Sequence, residues 1–324
     1  MKKITRGISA EFADAFKKSE LFDFFNENQS ELFLGVRNEY LNIYYGCDSI
    51  AKVEFKKQKK QIVCEIAGYY LNVKSLNKED KNKRLKVLPE AIMEKYGLIK
   101  TNSYKRNTDG KKAQSRLVIL NNANPKSNWF CIDVEYIKQF HNQKEKNIAG
   151  FNARFDIIAI SKSKPHRVAL VELKYGNKAI GGESGIYKHV SDFSKFTEKG
   201  YFEGHLKREI IEIVRSQKAL GMRVPFEIPI PEDIADPEFF FITLNNNANG
   251  KASSPRQTMA AYLFKNKTWD CKRLTTGKCV ETDFGDITLK SNKFHATFLF
   301  SKEDLNSLSI DDIIDGNYER IEPR

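Results

Sequence analysis

The sequence predicts an α/β protein that begins with a β-rich antiparallel region, and three patterns carry that prediction. Two apolar runs, residues 154–160 and 168–174, are broken by a polar stretch at residues 162–167 that contains Pro165, which is the composition of an antiparallel hairpin. After it the period changes: Ile186, Val190, Phe193 and Thr197 fall on one helical face, and Leu206, Ile210, Ile213, Val214 and Leu220 on another within residues 201–222. Ahead of it, residues 31–73 alternate short β-branched and aromatic segments with short polar turns.

Taken in order, Phe12, Phe16, Leu21, Phe22, Phe24 and Phe25 lie among charges and give one or two short amphipathic helices within residues 8–28. Residues 32–36, 40–45, 50–55 and 61–66 form an antiparallel meander, with a basic turn at 56–60. Near that turn, Tyr40, Tyr44, Tyr45, Tyr69 and Tyr70 either stack on a nucleic acid or line a core while the lysines blunt a sheet edge. The charged stretch 76–86 is a connector, and 89–97 a short helix with Pro89 in its first turn and Gly97 at its end. Residues 100–115, basic and without an apolar period, are expected to be a loop, and 116–120 a strand.

Residues 129–137 supply a further strand that leads into the hairpin, so the core starts as a three-stranded meander. Ser184 is placed to cap the helix after the hairpin, and a proline-rich stretch at 225–237 ends the next helix. A strand at 238–244, an Asn-Gly loop at 245–250, a helix at 254–264 with Arg256 and Gln257 near its start, a segment at 293–300 and a helix from Ser301 close the chain.

Three charges interrupt the otherwise apolar hairpin, and a buried charge is costly without a partner or a metal. Strand side chains alternate, so Glu172 and Lys174 share a face that Leu173 does not. With the turn centred near Lys164, Asp156 falls directly opposite Glu172, about 4.5 to 5.5 Å away at Cβ. Two carboxylates at that separation repel, and a hard divalent cation such as Mg²⁺ relieves the repulsion. Pairing of Glu135 with Asp156 would add a third carboxylate; solvent exposure on an outer strand is the other outcome, because the connection at 138–150 leaves the register open. The plain alternative for the whole set is a half-exposed hairpin with solvated charges. Against it, Val168 to Val171 shows no alternation, as in a strand covered on both faces.

Asp156, fifteen intervening residues and then Glu172-Leu173-Lys174 at the end of an apolar strand resemble the PD-(D/E)XK nuclease superfamily, over about residues 129–200. Phe155 stands where the family's name motif has proline. The resemblance implies a restriction-endonuclease-like core, with a mixed sheet flanked by helices, as a domain spanning 76–324 after an N-terminal helical and β-meander region at 1–75. It implies Asp156, Glu172 and Lys174 as catalytic residues. Asp156 and Glu172 would hold Mg²⁺, or Mn²⁺ in its place, together with the Leu173 carbonyl; Glu135 would join them only through the register that places it opposite Asp156. Lys174 would position the attacking water and help deprotonate it.

In that family the helix after the Glu-x-Lys strand offers a polar residue to the scissile phosphate, and Tyr187, Lys188 and His189 occupy that region here. A helical acid ahead of the core strands joins the site in some members, which gives Glu90 or Glu94 such a role or that of a solvated face. The glycine-rich turn at 176–185 opens a helix and can hold a phosphate, though its glycine spacing is not a dinucleotide fingerprint.

The whole chain narrows the class of function. Its 54 Lys and Arg against 42 Asp and Glu leave +12, an excess that favours polyanions, although high lysine content also follows from genome composition. Five cysteines without a Cys-x-x-Cys pair, and histidines without ligand spacing, speak against structural zinc; Cys64 and Cys131 read as reduced core residues. No apolar run has membrane-spanning length, and Glu11 and Asp14 interrupt the start before a signal-peptide core forms, so a cytoplasmic protein is expected.

The expected activity is metal-dependent phosphodiester hydrolysis, with DNA favoured over RNA by the resemblance alone and restriction or antiviral defence as a context it implies. A homodimer is compatible with it. Two rivals stand beside it: a catalytically inactive nucleic-acid-binding or assembly module on the same fold, and a metal enzyme acting on a small phosphorylated molecule.

Overall fold

A computed structural model describes residues 6–71, 83–138, 140, 143–151, 154–175, 186–244, 279–289, 292–301 and 309–315. The chain divides into two compact units, Met1–Pro125 with Arg208–Pro231, and Lys126–Lys207 with Glu232–Arg324. The fold is α/β, with one antiparallel sheet and one mixed sheet flanked by helices.

In the first unit five strands pair antiparallel in sequence order: β1 (Leu32–Val36), β2 (Tyr40–Tyr45), β3 (Asp48–Lys56), β4 (Gln61–Ala67) and β5 (Arg84–Val87). Alternation on β4 puts Ile62, Cys64 and Ile66 in the core, while Val63 and Glu65 face outward. The expected amphipathic helices are α1 (Ala10–Lys17) and α2 (Glu20–Glu27), which bury Phe12, Phe16, Leu21 and Phe25. Because β5 pairs with β4, the expected division after residue 75 falls inside this unit.

Two expectations fail here. Residues 100–115 are not a loop and 116–120 are not a strand: α3 (Pro89–Glu94) is followed by α4 (Tyr96–Arg106) and α5 (Asp109–Ala123). Thr108 caps α5 by accepting from the Lys111 amide, and Ala113, Leu117 and Val118 with Gln114 and Asn121 make a narrow buried stripe. A stripe with two amides among its five residues carries little apolar period, and packing overrides the weak propensity. Gly97 sits in the first turn of α4 instead of ending a helix.

The tyrosines belong to the fold of this unit. Tyr44 and Tyr70 are buried, Lys52 lies over Tyr40, and Arg106 lies 3.7 Å from the Tyr69 ring centre. Cys47, Cys64 and Cys131 are buried and in no disulfide, and burial pushes the Cys64 thiol up to about 12.

The second unit is built on β6 (Trp129–Ile137), β7 (Arg154–Ser161), β8 (His166–Tyr175) and β9 (Ile234–Leu244). The first three form the expected antiparallel meander, and β9 joins parallel to β8. Two further strands, β10 (Cys279–Leu289) and β11 (Asn292–Ser301), extend the sheet to the order β10-β11-β9-β8-β7-β6. Residues 157–160 and 168–171 are fully buried, as their unbroken apolar runs require. The short helix α6 (Gln143–Ala149) lies between β6 and β7 in the chain, and over the sheet lies α7 (Ile186–Glu198), whose Phe193 packs against Phe155, Phe239 and Phe241 at 4.9 to 5.3 Å between ring centres. Phe196 adds contacts to Phe151 and Tyr201.

A π-helical turn at Phe202–Leu206 runs into α8 (Lys207–Ala219), which from Arg208 onward belongs to the first unit and whose inward set is buried as expected. In the second unit Arg167 makes a two-pronged ion pair with Glu238 at 2.7 Å and a third bond to Asp315 on α9 (Ile310–Asp315), tying β8, β9 and that helix. The expected turn at 176–185 with Ser184, the loop at 245–250, the helix at 254–264 with Arg256 and Gln257, and residues 302–308 lie outside the described residues.

Candidate active site

The register of the central hairpin decides which charges meet. Ile157 pairs with Val171, Ile158 with Leu170, Ala159 with Ala169 and Ile160 with Val168, a series centred on Lys164. The next pair in that series is Asp156 and Glu172. Asp156 Oδ2 accepts a 2.7 Å hydrogen bond from the Leu173 amide, which fixes the carboxylate against the β8 backbone.

The register of β6 is also settled: Val134 pairs with Ile157 and Tyr136 with Phe155, so Glu135 falls opposite Asp156. Glu135 holds φ at 52°, a left-handed conformation that is rare for a residue with this side chain. Strain of this kind gathers at functional sites.

Glu172 is 2% exposed, and Lys174 Nζ donates to its Oε1 at 2.6 Å. His189, brought in by α7, places Nε2 3.1 Å from the same oxygen and 3.4 Å from Lys174 Nζ. The other oxygen, Oε2, is buried and has no hydrogen-bond partner. Burial, then the nearby Asp156 charge, push the Glu172 carboxyl well above the usual range; Lys174 pulls the other way and does not prevail, and Glu135 adds to the rise.

These groups line one cleft of about 580 Å³, in which Glu135, Asp156, Glu172, Lys174, Lys188 and His189 come together with Tyr136, Ile137, Arg154, Phe155 and Asp192. Leu173 lies between Glu172 and Lys174 and meets the site through its backbone. Tyr187 belongs to α7, but its side chain lies outside the described residues. Glu90 and Glu94 lie on α3 of the first unit, where the Glu90 charge adds to the rise of the Cys64 thiol after burial.

Sequence reasoning missed two cleft residues. Asp192 is buried and accepts from Lys188 Nζ at 2.6 Å, a pair readable from its four-residue helical spacing. Arg154 opens β7 as the cross-strand partner of Ile137, and only that register brings it to the cleft.

The chemistry of the donors suits a hard cation. Asp156, Glu172, Glu135 and the Leu173 carbonyl offer only oxygen, and Glu172 carries an oxygen with no protein partner. Among the described residues no three His, Cys, Asp or Glu side chains form a ready-made metal cage. Mg²⁺ tolerates such a site, since it binds through one or two carboxylates and completes its shell with water and substrate oxygens.

Comparison with protein-family models, with curated proteins and with solved structures gave no match for this chain. Among the described residues no helix is long and apolar enough to cross a membrane.

Proposed function

We propose that this chain is a metal-dependent nuclease with a PD-(D/E)XK, restriction-endonuclease-like core, cutting phosphodiester bonds in DNA in preference to RNA. The observation that carries the reading is Glu172. It is a nearly unexposed carboxylate with one unpartnered oxygen, pushed toward its neutral form by burial and by Asp156. A carboxylate kept for structure has its oxygens satisfied; this one is short of a positive partner.

Mg²⁺, when bound, supplies Lewis-acid polarisation of the phosphoryl group and lowers the pKa of a water toward neutrality. Asp156, oriented by the Leu173 amide, and Glu172, in its ionised form, would hold the ion, with Glu135 as a further acid. Lys174 supplies the ammonium that offsets charge growing on the phosphoryl oxygens. The water oxygen bonds to phosphorus and loses a proton, while the phosphorus bond to the leaving sugar oxygen breaks and that oxygen takes up a proton. Lys188 and Arg154 give the cleft the positive groups that a polymeric phosphate backbone needs.

One contact favours a second reading, a binding or assembly module whose acids are structural: Glu172 Oε1 is already held by Lys174. That reading predicts salt-sensitive nucleic-acid binding that survives removal of divalent metal, with no cutting. The deciding experiment incubates labelled single- and double-stranded DNA and RNA with Mg²⁺, Mn²⁺ or EDTA, using wild type, Glu172→Gln and Lys174→Ala. Metal-dependent cutting lost in both variants supports the nuclease. Folded variants that bind like a wild type that cuts nothing support the module.

A further inference from the structure

A second charged feature lies wholly within the first unit, where the hairpin turn between β3 and β4 meets β5. An open groove of about 600 Å³ is formed there, and no acidic residue lines it. Its lining includes an apolar floor: Val63 on the outward face of β4, Val87 and Leu88 where β5 runs into α3, and Phe55 at the end of β3, whose ring stacks on the buried Phe12. Leu88 is 52% exposed, a large apolar side chain left to water.

The charges around this floor are out of balance for a local reason. The outward face of the sheet carries two acids close by, and lysines already take both. Glu54 is bonded by Lys52 and Lys56 at 2.5 Å each, and Glu65 lies 3.7 Å from Lys52. Lys57 and Lys59 on the turn and Lys86 on β5 line the groove, and among the described residues no carboxylate pairs with them. Lys86 is directly opposite Glu65 in the sheet, yet the ion pair of Glu65 is with Lys52. Three like charges around one apolar floor repel each other and raise the local concentration of anions.

We propose that this groove binds single-stranded nucleic acid, with phosphates against Lys57, Lys59 and Lys86 and unstacked bases against Val63 and Leu88. A single strand offers both parts, since each phosphate comes with a base whose face is free. A duplex would satisfy the lysines and leave the apolar floor exposed. The site is independent of whether the cleft of the second unit cuts anything.

The test measures fluorescence anisotropy of a labelled 20-residue oligothymidylate with the full chain in EDTA, across a salt series. The proteins are wild type, the triple variant Lys57→Ala/Lys59→Ala/Lys86→Ala, and Leu88→Ser. All four substituted groove residues are exposed, and circular dichroism checks that the variants stay folded. The expected result is affinity at least about tenfold weaker in the triple variant, with a salt slope lower by about 2, since each single-strand phosphate contact contributes about 0.7. Leu88→Ser weakens the single strand and not a 20-base-pair duplex. Wild-type affinity and slope in the triple variant would overturn the proposal. So would equal binding of single strand and duplex with no effect of Leu88→Ser, or displacement of the labelled strand by poly-glutamate at concentrations where unlabelled oligothymidylate does not compete.

Discussion

Glu54 and Glu172 are both strand glutamates two residues from a lysine, and their surroundings give them opposite chemistry. Burial acts to raise Glu54, but hydrogen bonds from Lys52 and then Lys56 outweigh it and take the carboxyl below its usual value. Glu172 also has a lysine at 2.6 Å, yet burial and the facing Asp156 win and drive it up. Two cations against one half-exposed acid make a solvated ion cluster. At Glu172 a single lysine contact stands against burial and the charges of Asp156 and Glu135, and that imbalance turns a common Glu-x-Lys strand pattern into a candidate metal site.

The largest expected difference is in activity. Under the nuclease reading, Glu172→Gln and Asp156→Asn each lower metal-dependent cleavage by at least about 10³-fold, and Lys174→Ala by about 10²- to 10³-fold. Glu54→Gln leaves the rate at the wild-type value. A gel-based cleavage series reads all four, and equal losses at Glu54 and Glu172 would break the contrast.

Stability sharpens it through the sign of the pH dependence. The folded-state pKa of Glu172 is raised, so its contribution is present at low pH and lost as pH climbs from about 4.5 through the folded value. Metal-free Glu172→Gln should therefore gain stability relative to wild type as pH rises toward 8. Glu54 is lowered, so its contribution is present above its unfolded pKa and lost as pH falls through the folded one. Thermal melts of the two glutamine variants against pH should slope in opposite directions relative to wild type.

Glu135 separates strain from chemistry. With φ at 52°, Glu135→Gly should relieve about 1 kcal/mol of left-handed backbone cost while lowering cleavage. A variant that melts lower and cuts normally would remove Glu135 from the site. The smallest expected effect is at the outward ion cluster: Lys56→Ala should change stability by no more than about 0.5 kcal/mol.

The hairpin site was legible because a two-residue period and a turn centre are enough to place Asp156 across from Glu172, and both can be read from the chain. The place of Glu135 was not, since a long connection precedes β7 and only the formed sheet sets the register. Asp192 was hidden for another reason: as a helical acid four residues after a lysine it looks like a surface pair until α7 docks by Phe193 and Phe196 and buries it. The helices α4 and α5 escaped because buried amides and small residues do much of their packing, which hydrophobic periodicity does not register.

The most direct test of the imbalance at Glu172 is a calorimetric titration of the full chain with Mg²⁺ and Mn²⁺ in two buffers of different ionisation enthalpy, comparing wild type, Glu172→Gln and Glu54→Gln. The account predicts one binding event with proton release in wild type and in Glu54→Gln. Affinity should rise up to tenfold per pH unit below the folded pKa of Glu172, and Glu172→Gln should lose both binding and proton release. Unchanged metal binding in Glu172→Gln, or no binding to wild type at millimolar metal, would contradict it.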